Sequence, residues 1–161
     1  MMDEFIGIRR YLHANPELSF EEENTAKYIS NLLNEWGINH TTNIGGHGIV
    51  GVLQGKNPEK KIIALRADMD ALPVTEMVDL PFASKARTEY NGQDVGVMHA
   101  CGHDNHMAVL MGVAEVLAGM RDRLPGTGKF TFQPAEEGAP AGEDGGAAPL
   151  IEEGELEAPR P

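Results

Sequence analysis

The stretch HACGHDNHMAVLMGVAEVLAGMRDRLPGTGKFTFQPAEEG, residues 99–138, decides how the rest of the chain is read. Asn105 to Met120 is rich in Ala, Leu, Met and Val and runs into Gly119 and Pro125, which predicts a buried helix. Lys129 to Gln133 then predicts a short strand that Pro134 stops. Upstream, Gly48 to Leu53 carries Ile49, Val50, Val52 and Leu53 and is closed by Gly55, while Ile62 to Leu65 follows a charged turn at Lys56 to Lys61. Both read as strands. A helix between strands in sequence argues for an α/β layered fold in which at least part of the sheet is parallel.

Two amphipathic helices are expected ahead of these strands. Phe5, Ile8 and Leu12 recur at helical spacing, and Pro16 forces a break soon after. Ser19 followed by Glu22 has the form of a capping box, and Ala26, Ile29, Leu33 and Trp36 then mark one face of a helix ending at Gly37. Thr75 to Val97 mixes polar and apolar residues without a period, which predicts a long loop with room for short strands. Gly142 to Glu153 reads as helical again, although Pro149 sits awkwardly in it.

The 161 residues fit one globular domain. Acidic residues number 25 and basic ones 13, a net charge of -12, and the positives are scattered singly apart from Arg9-Arg10 and Lys60-Lys61. A nucleic-acid backbone or an anionic membrane is therefore a poor partner. The longest apolar run, Met107 to Ala114, is far short of the roughly 20 residues that span a bilayer. Asp3 and Glu4 stand where a signal peptide wants positive charge. Cys101 is the only cysteine, which excludes an internal disulfide and suits a reducing compartment, so a cytoplasmic location is expected.

Three clusters carry chemistry. His99, Cys101, His103 and His106 place four potential soft donors within eight residues, at the entry to the buried helix. Thiolate and neutral imidazole are good ligands for zinc-like ions, and a helix N-terminus favours the thiolate. Cys101 or His103 alone reads better as a core or capping residue; the density of the group reverses those odds. Glu136 and Glu137 follow the predicted strand directly, where one carboxylate can bind a cation and its neighbour can handle protons. An isolated Glu pair is usually a solvated turn, but strand carboxyl ends are where open α/β sheets place their sites. Asp68 and Asp70 also follow a strand. They can ligate a cation or orient a ligand histidine, or else Asp70 caps a turn and Asp68 pairs with Arg66.

Other candidates are weaker. His13 reads as a cation at a helix C-terminus, and Gly45 to Gly48 as a flexible turn without the lysine of a phosphate loop. The eight acids from Glu136 to Glu157 read mostly as a solvated face.

Taken in series, LHANPELSFEE, LRADMDALP, MHACGHDNHMA, FQPAEEGAPAGEDGGA and IEEG resemble the metal-dependent amidohydrolase branch of the zinc peptidase family. That branch contains hippurate hydrolases, N-acyl-amino-acid deacylases, N-acetyl-diaminopimelate deacetylases and the plant indole-acetyl-amino-acid hydrolases. The resemblance implies a three-layer α/β/α sandwich of the zinc-peptidase type, here incomplete. It makes Cys101, His103 and Glu137 metal ligands, Glu136 the general base and acid, and Asp70 the residue that orients the site, with Asp68 in the place of a ligand histidine. It implies two divalent ions per complete site, zinc or manganese, with cobalt or nickel as further options. The reaction it implies is hydrolysis of the amide bond of an N-acyl amino acid or short peptide by a metal-activated water.

Family members carry further histidine ligands, an inserted lid or dimerisation domain and a tendency to form homodimers, whereas no histidine follows His106 here. Residues 1–161 are therefore expected to form the N-terminal part of the catalytic domain, with the lid and the C-terminal part absent. Two rival readings are a catalytically inert, metal-binding fragment and a module that only binds an acyl amino acid. Loss of later strands leads us to expect self-association through an unpaired sheet edge.

Overall fold

The computed structural model describes residues 2–138, 145–157 and 159–161. Helices α1 (Met2–Ala14) and α2 (Glu23–Glu35) open the chain, followed by β1 (Asn39–Ile44), β2 (Gly48–Gln54) and β3 (Ile62–Asp68). A hairpin of β4 (Arg87–Tyr90) and β5 (Gln93–Gly96) precedes α3 (His103–Gly119), a single 3-10 turn at Arg121–Arg123, β6 (Thr127–Gln133) and α4 (Ala147–Glu152).

Four strands form one mixed sheet in the order β1-β2-β6-β3. β2 runs antiparallel to both β1 and β6, and β3 runs parallel to β6, with Asp68 opposite Gln133. The fold class is the expected mixed α/β one. Alternation along β6 divides the two faces. Phe130 and Phe132 are fully buried with Ile8, Leu12, Ile29, Leu33, Met107 and Met111, so α1, α2 and α3 share one core on one face. Lys129 and Thr131 point the other way: the ammonium donates to the Glu155 and Pro159 carbonyls, and the Thr131 hydroxyl donates to the Glu155 carboxylate at 2.6 Å. The segment after α4 covers that second face. Burying Phe132 is worth several kcal/mol, since truncating such a side chain to Ala costs about 3–5 kcal/mol.

Several elements differ from the sequence reading. β1, NHTTNI, was not expected, because its mostly polar residues hide the alternation; it is an exposed outer strand whose pairing with β2 supplies the order. β3 and α3 extend further than expected, to Asp68 and back to His103, which puts both residues on regular elements. The Thr75–Val97 loop holds the β4–β5 hairpin. The last helix is shorter than Gly142–Glu153; residues 142–144 lie outside the described residues. Pro149 is its third residue, in the first turn, where the missing N–H has no helical acceptor to lose.

The Ser19/Glu22 capping box does not form. No side chain caps α2 at Glu22; instead Glu17 accepts from the Asn24 and Thr25 amides at 3.1 and 2.8 Å. His13 is likewise no solvated helix-end cation. It is buried, bonded through Nδ1 to Asp104 at 2.7 Å and through Nε2 to Glu76 at 3.1 Å, and so ties α1 to the start of α3 and to the loop before the hairpin.

The acidic C-terminal stretch is also not wholly solvated. Glu155 is buried, and Glu153 accepts from the Gly45 amide at 3.0 Å.

Candidate metal centre

Because β3 and β6 are adjacent and parallel, their carboxyl ends deliver Asp68 to Asp70 and Glu136 to Glu137 side by side. Between them arrives the start of α3. Gly102 takes φ +105°, a conformation open to glycine, and there the chain turns from Cys101 into His103 at the first helical position.

The sulfur of Cys101, a ring nitrogen of His103 and a carboxylate oxygen of Glu137 all lie within 4.8 Å of one another. Asp68, His103 and Glu136 form a second such group. Nε2 of His103 is 3.8 Å from Oε1 of Glu137 and 3.6 Å from Oε2 of Glu136. All three candidate ligands and the candidate base therefore come together. His99 and His106 do not join either group. His99 is buried with neither ring nitrogen hydrogen-bonded among the described residues, and burial, with the charges of His103 and His13 adding, pushes it down to about 4.

Asp70 organises the arrangement. Its backbone carbonyl accepts from Nδ1 of His103 at 2.9 Å, leaving Nε2 to face the carboxylates. Its Oδ2 accepts from the Ser19 hydroxyl at 2.7 Å and from the Glu137 amide at 2.9 Å. Burial pushes its carboxyl up, but the bonds from His103, the Glu137 amide and Ser19 outweigh this and hold it below the usual carboxylate range. Burial also works against charge on His103, yet bonding to Asp70 wins and raises it to about 9.

The thiol departs from the expected thiolate. Hydrogen bonding to Glu137, then that carboxylate's charge, push Cys101 up, so the neighbouring acids override the helix N-terminus. Asp68 pairs with Arg66 at 2.8 Å, which was one of its two expected roles.

The donor chemistry fits a divalent cation. A thiol, an imidazole with its other nitrogen anchored and a carboxylate make a set that zinc and its neighbours accept. Oε1 of Glu137 is buried with no hydrogen-bond partner among the described residues, a cost that a cation removes. Leu18, Ser19, Leu72, Tyr90 and Glu137 border a cavity of about 570 Å³ next to these donors. A larger one, about 760 Å³ between α1 and α3, is lined by none of them.

Sequence reasoning gave Ser19 and Glu22 only a helix-capping role. Glu22 is wholly buried, and its Oε1 accepts from the Ala135 amide at 2.9 Å. Burial raises its carboxyl to about 7.

The model of peptidase family M20/M25/M40 matches residues 64–161, which hold every candidate donor. The chain belongs to that family. Among M20/M25/M40 relatives, it is 46% identical over 153 residues to thermostable carboxypeptidase 2 of Saccharolobus solfataricus, a match covering 94% of this chain and 36% of that protein. It is 45% identical to the hippurate hydrolase of Campylobacter jejuni, over 98% of this chain and 37% of that one. A Bacillus subtilis protein described as a dinuclear metal binding peptidase of the M20 family superposes with a TM-score of 0.81 at 42% identity, covering 96% of this chain and 39% of its own. The chain thus spans little more than a third of the length of these M20 relatives. No described helix is long and apolar enough to cross a membrane.

Proposed function

We propose that this chain is the N-terminal part of the catalytic domain of a metal-dependent amidohydrolase that releases an amino acid from an N-acyl amino acid or short peptide. The observation that carries the reading is the convergence of Cys101, His103 and Glu137 donor atoms within 4.8 Å, with the Glu137 Oε1 otherwise unpartnered. The names of the carboxypeptidase and hippurate hydrolase relatives support amide-bond hydrolysis, and the dinuclear description of the structural relative supports divalent metals.

Cys101, His103 and Glu137 would hold one cation, zinc or manganese. With Nδ1 of His103 bonded to Asp70, Nε2 serves one ion only, so a second ion would draw on Asp68 and on donors other than His103. Such a cation supplies Lewis-acid polarisation of a carbonyl and lowers the pKa of a coordinated water. The chain's own residues do the rest. Asp70 fixes the His103 tautomer by taking the Nδ1 proton in a hydrogen bond, which presents Nε2 as a donor pair. Glu136, exposed on the turn after β6, is free to take a proton at a carboxylate oxygen and return it to the departing amine. The adjacent cavity, with Leu18, Leu72 and Tyr90, receives the apolar part of the substrate. Exposed Cys101 fits a reducing, cytoplasmic setting, and the homodimer of the complete enzyme is what the family resemblance implies.

One observation favours a second reading for the chain alone. The two donor groups share His103, so the described residues furnish too few ligands for two four-coordinate ions at once. The isolated chain is then a cation binder without turnover. Metal analysis after dialysis tests the proposal: at least one zinc per chain, lost in Cys101→Ala and His103→Ala, supports it, and no retained metal contradicts it.

A further inference from the structure

We propose that Glu22 is a positioning residue for the metal centre: its buried carboxyl holds the Ala135 amide and so sets the turn that places the Glu136 and Glu137 carboxylates. This rests on the reading of Cys101, His103 and Glu137 as cation ligands.

A carboxyl with no exposure is costly to bury, and it needs a task that repays burial. Helix capping is not that task. Glu22 stands at the N-cap of α2, but its side chain bonds none of the helix's amides, and Glu17 already satisfies two of them. The side chain reaches 113 residues along the chain instead, where Oε1 accepts from the Ala135 amide and Oε2 has no partner among the described residues.

Ala135 is where a tether is needed. It takes φ +51°, a left-handed conformation that costs a non-glycine residue about 1–2 kcal/mol. That reversal turns the chain so that Glu137, two residues on, puts its amide 2.9 Å from Asp70 Oδ2 and its carboxylate 3.8 Å from His103 Nε2. The turn is thus pinned by two acids, Glu22 before the carboxylate pair and Asp70 within it. The carbonyl of Ala135 is held as well, by the Gly146 amide at 3.1 Å, where a Cβ would collide with the Pro134 oxygen. Ser19, three residues before Glu22, donates to the same Asp70. One short segment, Ser19 to Glu22, therefore supports both walls of the donor cluster.

The test uses Glu22→Gln, which keeps an oxygen acceptor, Glu22→Asp, which withdraws the carboxyl by one methylene, and Glu17→Ala, which strips the α2 cap without touching the turn. Zinc affinity is measured by competition titration, and exchange of the Glu137 amide by NMR on the metal-free chain. We expect Glu22→Asp to weaken zinc binding by about 10- to 100-fold and to speed Glu137 amide exchange by about tenfold or more. Glu22→Gln should stay within about threefold of the parent in both, and Glu17→Ala should lower the melting temperature while leaving both readings near parental. Unchanged zinc affinity and exchange in Glu22→Asp overturn the proposal, as does equal weakening in Glu22→Gln or Glu17→Ala. A parent chain that binds no zinc removes the ligand reading instead, and Glu137 amide exchange alone then decides whether Glu22 sets the turn.

Discussion

Asp70 meets His103 twice, with its backbone carbonyl 2.9 Å and its carboxylate Oδ1 3.3 Å from the same ring nitrogen, Nδ1. The contact spans 33 residues and fixes which nitrogen of a candidate ligand faces the carboxylates. Because Asp70 also holds the Glu137 amide, Asp70→Ala should loosen two ligands together. Zinc affinity should fall about 10- to 100-fold, while Ser19→Ala, which removes one of several bonds to the carboxylate, should cost less. Isothermal titration reads both, and an Asp70→Ala chain with parental affinity would sink the organising role.

Glu136 sits beside the donor cluster but is the more exposed of the glutamate pair. In the complete enzyme, Glu136→Gln should lower kcat by about 10²- to 10⁴-fold with metal content retained. Turnover of an N-acyl amino acid, read with metal analysis on the same sample, checks this, and retained turnover would remove Glu136 from proton transfer.

Glu22 gives a pH dependence with a definite sign. Its carboxyl rises from 4.5 in the unfolded chain to about 7 when folded, so the native state holds a proton that the unfolded state releases. The stability this confers is fully present below pH 4.5 and is lost as pH rises to about 7, a change on the order of 3 kcal/mol. Urea midpoints of the metal-free chain should therefore fall across that window, and Glu22→Gln should flatten the slope. A Glu22→Gln chain with the parental slope would show that another group is responsible.

β3 is an outer strand of the sheet, and Ile63 on it is 48% exposed. An outer strand carrying an exposed branched apolar residue is a template for pairing. Sedimentation velocity should show self-association that grows with concentration, and Ile63→Lys should shift the chain toward monomer with little change in melting temperature. A dispersed monomer at every concentration would count against this.

Much of the architecture was legible because its signals are local. The Asn105–Met120 pattern, the β-branched run at Ile49 to Leu53 and the breaks at Pro16 and Gly37 each act within a few residues. β1 was not legible, since five of its six residues are polar and its order comes from β2. The donor cluster could be read because each motif is contiguous and follows a strand or precedes a helix. What lay beyond reach was the purpose of Ser19 and Glu22. Their spacing matches a helix cap, and only folding shows that Ser19 bonds Asp70, 51 residues away, and Glu22 bonds Ala135, 113 residues away. His13 misled for the same reason, because its partners Glu76 and Asp104 are distant in sequence.

The central claim is that Cys101, His103 and Glu137 share one cation, and cobalt(II) substitution tests it most directly. Adding one equivalent of cobalt to the metal-free chain should produce a thiolate-to-cobalt charge-transfer band in the near ultraviolet. Cys101→Ser should abolish the band, and His103→Ala or Glu137→Ala should abolish or weaken it. Cobalt that binds with no such band, and equally well to all three variants, would contradict the account.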